Sequence, residues 1–222
     1  MDLAAGLVAK RAVFGDETAS KGAQQVANWV VRSSDNSGVP FVIVDKINAK
    51  IFVFDSNGLL LGAAPVLLGL AIGDGSVPGI GDRKLSTLLD SERTTPAVRF
   101  VASLDHNLHG KEIFWVDYDA AISLYPVITT ILKNQRLQRL ASPSPLERRI
   151  SYGCINVPSK FYANVVSRAF SGTQGIVYVL PEVRSIEDVS ASYSAEAGTQ
   201  LPAANGSTQS QLASLPGVSS AQ

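Results

Sequence analysis

Ile150-Ser151-Tyr152-Gly153-Cys154-Ile155-Asn156-Val157-Pro158 carries the sole cysteine of the chain, set beside a glycine and between apolar residues that read as strand ends. A thiol is the one side chain here that can act as a strong nucleophile without a cofactor, provided a neighbour helps it lose its proton. A lone cysteine is more often a small buried hydrophobe than a catalyst. The surrounding sequence has to decide between the two.

Working outward, the bulk properties set limits. The chain has 222 residues, 45% hydrophobic and 17% charged, enough apolar material for one sizeable core. Its 19 basic and 19 acidic residues cancel. Neither the basic field that nucleic acid requires nor a polybasic run for an anionic membrane surface is present. One cysteine excludes an intramolecular disulfide and leaves the redox compartment undecided. The first residues, Met1 to Arg11, make a poor export signal: the apolar run is short, an acid opens it and the cations follow it. The longest uncharged stretch, Ser56 to Gly73, is interrupted by Pro65 and several glycines. A spanning helix needs about 20 predominantly apolar residues, so this stretch reads as strands and no membrane span is expected.

Local periodicity then gives the elements. Val26, Trp29 and Val30 recur at helical spacing within Lys21 to Ser33, and Ser34-Asp35-Asn36-Ser37-Gly38 ends the pattern. The period changes at Phe41 to Asp45 and Lys50 to Phe54, two β-branched and aromatic runs, and Asn57-Gly58 is the best short hairpin signal. Leu59 to Leu70 reads as one or two strands interrupted at Gly62 and Pro65. Several antiparallel strands in quick succession argue for a β-sheet domain and against βαβ winding. Glu112 to Tyr125 reads as one long strand, with Phe114, Val116, Ile122 and Leu124 on one face and Trp115 on the other. Pro158 to Phe170 is expected to be helical and Gly175 to Leu180 a closing strand. The fold class is therefore mostly β, a β-rich α+β domain with short peripheral helices. The segments are 1–20, poorly ordered; 21–37, a leading helix; 38–185, the main domain; and 186–222, a disordered Ser/Ala/Gln-rich tail.

Other chemistry is weaker. Gly69 to Lys84 is glycine-rich but has neither a Gly-Lys-Ser/Thr ending nor a Gly-x-Gly-x-x-Gly opening, so a loop beside the active site is expected and not a phosphate cradle. His106 and His109 share one turn without a regular set of further ligands, and are expected to be solvated; no metal is assigned. The cations of residues 129–149, Lys133, Arg136, Arg139, Arg148 and Arg149, could recognise an anion, with a solvated face the commoner reading.

Ser151-Tyr152-Gly153-Cys154-Ile155-Asn156 resembles the Ser/Thr-His-Gly-Cys-hydrophobic-Arg/Asn signature of L,D-transpeptidases with the YkuD-type catalytic domain. Thr95-Pro96-Ala97-Val98-Arg99-Phe100 resembles that family's Thr-Pro-x-Gly-x-Phe segment, and Gly172-Thr173 through Val179 its closing Gly-Thr-x-Val strand. The resemblance runs over about residues 40 to 181. It implies an antiparallel-rich sheet sandwich, no cofactor, peptidoglycan stem peptides as partners, and a place in the periplasm or cell envelope. It also implies a reaction: the cysteine attacks a stem tetrapeptide, releases the terminal D-alanine and passes the acyl group to an amine. Cys154 is then the nucleophile, the amides of Tyr152, Gly153 and Cys154 the oxyanion donors, and Ser151, Tyr152 and Asn156 substrate-binding positions. Gly153 admits substrate close to the backbone.

Two departures matter. Tyr152 stands where the family has a histidine, and the upstream histidine that serves as base is best matched by Tyr125, in Ile122-Ser123-Leu124-Tyr125-Pro126. His109, in Leu108-His109-Gly110, lies well beyond the usual separation. A phenol with a pKa of about 10 is a poor base at neutral pH. A wall-binding or regulatory relative without turnover, and a carboxypeptidase using the same cysteine, are the alternative functions.

Overall fold

Nearly continuous apolar runs at Phe41–Asp45 and Lys50–Phe54 produce a hairpin that is buried on both faces, and the rest of the sheet grows from it. The computed structural model describes residues 10–130 and 134–188. Its strands are β1 (Phe41–Asp45), β2 (Lys50–Phe54), β3 (Leu60–Pro65), β4 (Leu68–Gly69), β5 (Arg99–His106), β6 (Glu112–Asp117), β7 (Ile122–Pro126), β8 (Arg149–Ser151), β9 (Ile155–Val157) and β10 (Gly175–Val179). The main sheet runs β3-β2-β1-β10-β5-β6-β7-β9, and β4 pairs with β8 beside it. Pairs β1–β10 and β7–β9 are parallel and the others in the main sheet antiparallel, so the expected antiparallel-rich, mostly β architecture is the one observed.

Strand β5 changes partner halfway. Arg99 to Ala102 pair with β10, whereas Ser103 to His106 pair with β6. The two halves so joined turn their inner faces onto one core: Val42, Val44, Ile51, Val53, Val177 and Val179 from one side, Phe114, Val116, Leu124, Ile155 and Val157 from the other. Side chains of alternate residues point to opposite faces, so Phe41, Ile43, Phe52, Phe54, Ile176 and Tyr178 emerge on the back. Helix α1 (Lys21–Ser33) covers them with Ala23, Val26, Ala27, Val30 and Val31, a stripe at helical spacing. Ser20 caps that helix by accepting from the Ala23 amide at 3.1 Å.

Three expectations need correction. Glu112 to Tyr125 is a hairpin, because the Asp117 carboxylate accepts the amides of Asp119 and Ala120 and turns the chain. The reversal returns Ile122 and Leu124 to the face of Phe114 and Val116, so the alternation survives the turn that it concealed. Gly62 does not interrupt β3; it lies within the strand, where a Cβ would come within 3.1 Å of Val165 in the helical run packed above. Within the segment 1–20, Val13 exchanges hydrogen bonds with Gly58 and Leu60, and Phe14 packs edge-on against Phe52 and Phe54. Of the expected tail, 189–222 lies outside the described residues.

Residues 158–170 form one helical run as expected: α-helical at Ser159–Phe161, π-helical at Tyr162–Val166 and α-helical again at Ser167–Phe170. The glycine-rich segment after β4 is held by a buried ionic cluster. Lys46, fully buried, donates to Asp74 at 2.8 Å and to the carbonyls of Gly73 and Thr95. Glu182 binds Arg149 and lies 3.3 Å from the Lys46 ammonium.

Burial alone would raise the Asp74 pKa, but the Lys46 hydrogen bond and the backbone amides of Arg184, Glu182 and Val183 outweigh it and hold the carboxyl at about 2. Folding thus lowers this pKa, and the unfolded chain takes up the proton first as pH falls. The contribution, on the order of 2 kcal/mol, is whole above the unfolded-state value near 4 and drains away toward pH 2. In urea titrations, Asp74→Asn is expected to lose stability at pH 7 and to lose much less relative to wild type at pH 2.5. Lys46→Met, which takes from Asp74 its nearest cation and from Glu182 one of two, is expected to cost about 3 kcal/mol or more at pH 7.

Candidate active site

The parallel register of β7 and β9 builds the site. Leu124 lies opposite Ile155, Tyr125 opposite Asn156 and Pro126 opposite Val157. Leu124, Ile155 and Val157 belong to the core, so the residues between them face the other way. Ser123 and Tyr125 from β7 therefore share a face with Asn156 and with Cys154, which immediately precedes β9. Ser123 Oγ and Cys154 Sγ are 3.8 Å apart. The thiol also points at the Ala121 carbonyl at 3.6 Å, in the very turn that Asp117 creates.

Cys154 is held at a sharp corner between β8 and β9. Gly153 has φ +123°, and a Cβ there would sit 2.7 Å from the Thr94 carbonyl oxygen, so the corner requires glycine. Thr95 locks it. Its buried hydroxyl donates to the Gly153 carbonyl at 2.8 Å and accepts the Gly69 amide at 2.9 Å. Ser151 is buried too, with its hydroxyl donating to the Cys154 carbonyl at 2.6 Å and accepting the Gly153 amide at 3.2 Å. Ser151 is thus a brace of the turn, not a surface that substrate could meet. The Gly153 amide, expected as an oxyanion donor, is engaged by that brace, which leaves the amides of Tyr152 and Cys154 for the role. Tyr152 is half-buried with the Arg93 guanidinium 4.0 Å above its ring centre.

Asn156 is fully buried. Its backbone exchanges two hydrogen bonds of 2.9 Å with Leu67, and its side-chain oxygen accepts from Arg136 at 2.7 Å. Arg136 opens helix α2 (Arg136–Ala141) and is itself buried. The solvated face expected for the cations of 129–149 is therefore wrong for this residue and for Arg149, which is buried against Glu182. Ser123 was not singled out from the sequence, and Arg136, named there only among the cations of 129–149 that could recognise an anion, was not placed beside Asn156. The alternation Ile122-Ser123-Leu124-Tyr125 already put Ser123 on the face of Tyr125; nothing in the sequence put Arg136 there.

Desolvation governs the titration of the site. It pushes the Cys154 thiol up, opposed in part by hydrogen bonds from Ser123 and Tyr125 and by the Arg136 charge. It pushes the Tyr125 phenol up as well, and the neighbouring sulfur adds to this, against the influence of Asn156 and Arg136. At neutral pH the resting pair is thiol and phenol, both neutral. His106 and His109 are exposed in and beside the β5–β6 turn, and neither contributes to this cluster. Among the described residues no group of three or more His, Cys, Asp or Glu side chains could hold a metal ion. No helix among them is long and apolar enough to cross a membrane.

No protein-family model and no curated protein sequence matches the chain. Solved structures do resemble it. The helical cell shape determining protein Pgp2 of Campylobacter jejuni is similar over 82% of this chain and 64% of its own, with 14% identity and a TM-score of 0.44. The present chain thus spans under two thirds of that protein. The catalytic domain of the E. faecium L,D-transpeptidase is similar over 64% of this chain and 98% of its own, with 16% identity and a TM-score of 0.36. Bd1075 of Bdellovibrio bacteriovorus gives 72% and 55%, with 15% identity and a TM-score of 0.37. These likenesses are partial, and the mostly β architecture rests on the strand order of the chain itself.

Proposed function

We propose that this chain is a peptidoglycan-processing protein of the cell envelope that carries out cysteine-dependent acyl transfer of the L,D-transpeptidase kind. The observation that supports it is the placement of Cys154: on a glycine corner fixed by Thr95 and Ser151, with Ser123 and Tyr125 beside the sulfur and Arg136 bound to Asn156 two residues on. The substrate class rests on the resemblance of Ser151 to Asn156 and its flanking segments to the transpeptidase signature.

The chemistry follows from those groups. Cys154 Sγ forms a bond to the carbonyl carbon before the terminal residue of a stem peptide. The carbonyl oxygen takes up negative charge toward the amides of Tyr152 and Cys154. The carbon–nitrogen bond then breaks, the thiol proton passes to the leaving amine, and a thioester remains. An acceptor amine attacks that thioester, the carbon–sulfur bond breaks, and one amine proton returns to sulfur. Water in place of the amine gives the carboxypeptidase outcome. Tyr125 serves as the hydrogen-bonding partner that conducts the proton, since a phenol pushed above its ordinary value is no free base at neutral pH.

The same upward shift of the thiol favours a second reading, a wall-binding relative that holds stem peptides without turning them over. Intact-mass measurement after incubation with a disaccharide-tetrapeptide donor separates the two. A thioester adduct absent from Cys154→Ala, with D-alanine released, is expected. Peptide binding with no adduct would replace enzyme by binder. Cross-linked product only in the presence of an acceptor amine marks the transferase, whereas acceptor-independent release marks the hydrolase.

Alkylation by iodoacetamide reports the thiol directly. Because folding raises this pKa, the rate is expected to keep climbing with pH beyond the ordinary thiol midpoint of about 8.5. Tyr125→His, which supplies a base that is neutral near pH 7, is expected to speed donor acylation at pH 7 by about a hundredfold. An alkylation midpoint below 8 in wild type would contradict the neutral resting state.

A further inference from the structure

Three polar groups from one short stretch face the Cys154 sulfur: the Ala121 carbonyl at 3.6 Å, the Ser123 hydroxyl at 3.8 Å and the Tyr125 hydroxyl. A carbonyl can only accept, so the thiol proton lies toward Ala121. That carbonyl is held where it is. Ala121 sits at φ +53°, in the left-handed region, and its amide donates to the Tyr118 carbonyl at 3.2 Å. Gly81 packs so closely on the same turn that a Cβ there would come within 2.3 Å of the Asp119 carbonyl oxygen. Ser123 is 5% exposed, and among the described residues its hydroxyl has no hydrogen-bond partner other than the sulfur. A buried hydroxyl rarely keeps its proton unshared. With the thiol proton directed at Ala121, the lone pairs of the sulfur are the acceptor at hand. The two contacts then form a chain: Ser123 O–H to sulfur, and sulfur S–H to the Ala121 carbonyl.

We propose that Ser123 is a further catalytic residue, whose hydroxyl donates to the Cys154 sulfur and steadies the negative charge that gathers there as the thiol proton leaves. The inference rests on the acyl-transfer reading and deepens it, by naming what holds the sulfur in a site without a histidine. Ser123 keeps its own proton throughout. The S–H bond breaks as the sulfur–carbon bond forms, that proton goes to the leaving amine, and the hydroxyl stays on sulfur until the charge has moved to the carbonyl oxygen. A hydrogen bond to a charged atom is stronger than one to a neutral atom, so this contact gains strength where the reaction needs it. The Ala121 carbonyl acts in the opposite sense and favours the protonated thiol at rest, since its oxygen is turned toward the sulfur. The sheet sets the position of the donor: Ser123 lies opposite Trp115 on β6, and Leu124 beside it lies opposite Ile155 on β9. Desolvation pushes the thiol up, and the Ser123 amide and hydroxyl, with the Tyr125 hydroxyl, oppose it.

The pH profile of Cys154 alkylation by iodoacetamide, on the full chain, tests this with Ser123→Ala and Ser123→Thr. Loss of one donor to a charged sulfur is expected to raise the midpoint by about one pH unit and to slow alkylation at pH 7 about tenfold. Ser123→Thr, which keeps a hydroxyl, is expected to restore part of the rate. The sign separates this role from a structural one. A variant that merely loosens the site admits water, and the midpoint then falls, because desolvation is what raised it. An unmoved or lowered midpoint in folded Ser123→Ala overturns the proposal. The ionisable groups that act on the sulfur, Tyr125 from β7 and Arg136 from α2, are the same in all three proteins. Wild type supplies a second check that needs no Ser123 variant, the infrared S–H stretch with Cys154→Ala as blank. A stretch lowered from that of a free thiol supports the proton chain, and the free-thiol frequency overturns it. Neither readout uses a donor peptide, so each stands apart from turnover. A raised midpoint with no acylation of wild type by the disaccharide-tetrapeptide supports the Ser123 contact and removes the reaction. Acylation of wild type with an unmoved midpoint keeps the reaction and removes the role of Ser123.

Discussion

The Thr95 hydroxyl is the point on which the active corner depends. One side-chain oxygen joins the Gly69 amide on β4 to the Gly153 carbonyl before the cysteine, and the Thr95 carbonyl in turn accepts from Lys46. Three separate stretches of chain are thereby tied to a residue with no exposure to solvent. Buried hydroxyls without partners are expensive, so this arrangement is stable only while every partner is in place. The ionic cluster of Lys46, Asp74, Arg149 and Glu182 supplies that condition. It pins the glycine-rich loop at one end and β8 at the other. The position of Cys154 is thus set by polar contacts on one side and by apolar packing of Ile155 and Val157 on the other.

That division explains what could be read from the sequence. The strands were legible because uninterrupted β-branched and aromatic runs are a direct imprint of strands covered on both faces, as in Val42 and Val44 on one core and Phe41 and Ile43 on the other. Helix α1 was legible for the same reason at a different period. The β6–β7 turn was hidden because Asp117, Tyr118 and Asp119 fit an alternating pattern as well as they fit a turn; only the two amides accepted by Asp117 distinguish them. The glycine corner at Cys154 was legible from Gly153 and its neighbours, and Tyr125 from its place at the end of a strand, where the β7–β9 register sets it opposite Asn156. The bracing role of Ser151 was hidden because a hydroxyl near a cysteine looks the same in sequence whether it meets substrate or braces a turn.

Arg136 shows the limit most clearly. Sequence assigns a charged residue in a polar segment to solvent, since that is where such residues usually lie. Its burial arises from tertiary placement alone: α2 delivers it against Asn156, a residue far along the chain whose own position is set by the β7–β9 register. No local period encodes that meeting.

The electrostatics of the site favour one order of events. Without a histidine, Cys154 and Tyr125 avoid the cost of burying a charged pair by remaining protonated, and the permanent charge beside them is a guanidinium. That charge assists ionisation of the thiol. In the proposed acyl transfer, proton loss is then coupled to attack on the carbonyl, so that negative charge passes from sulfur toward the oxyanion donors as the bond forms and no free thiolate has to persist in the desolvated site.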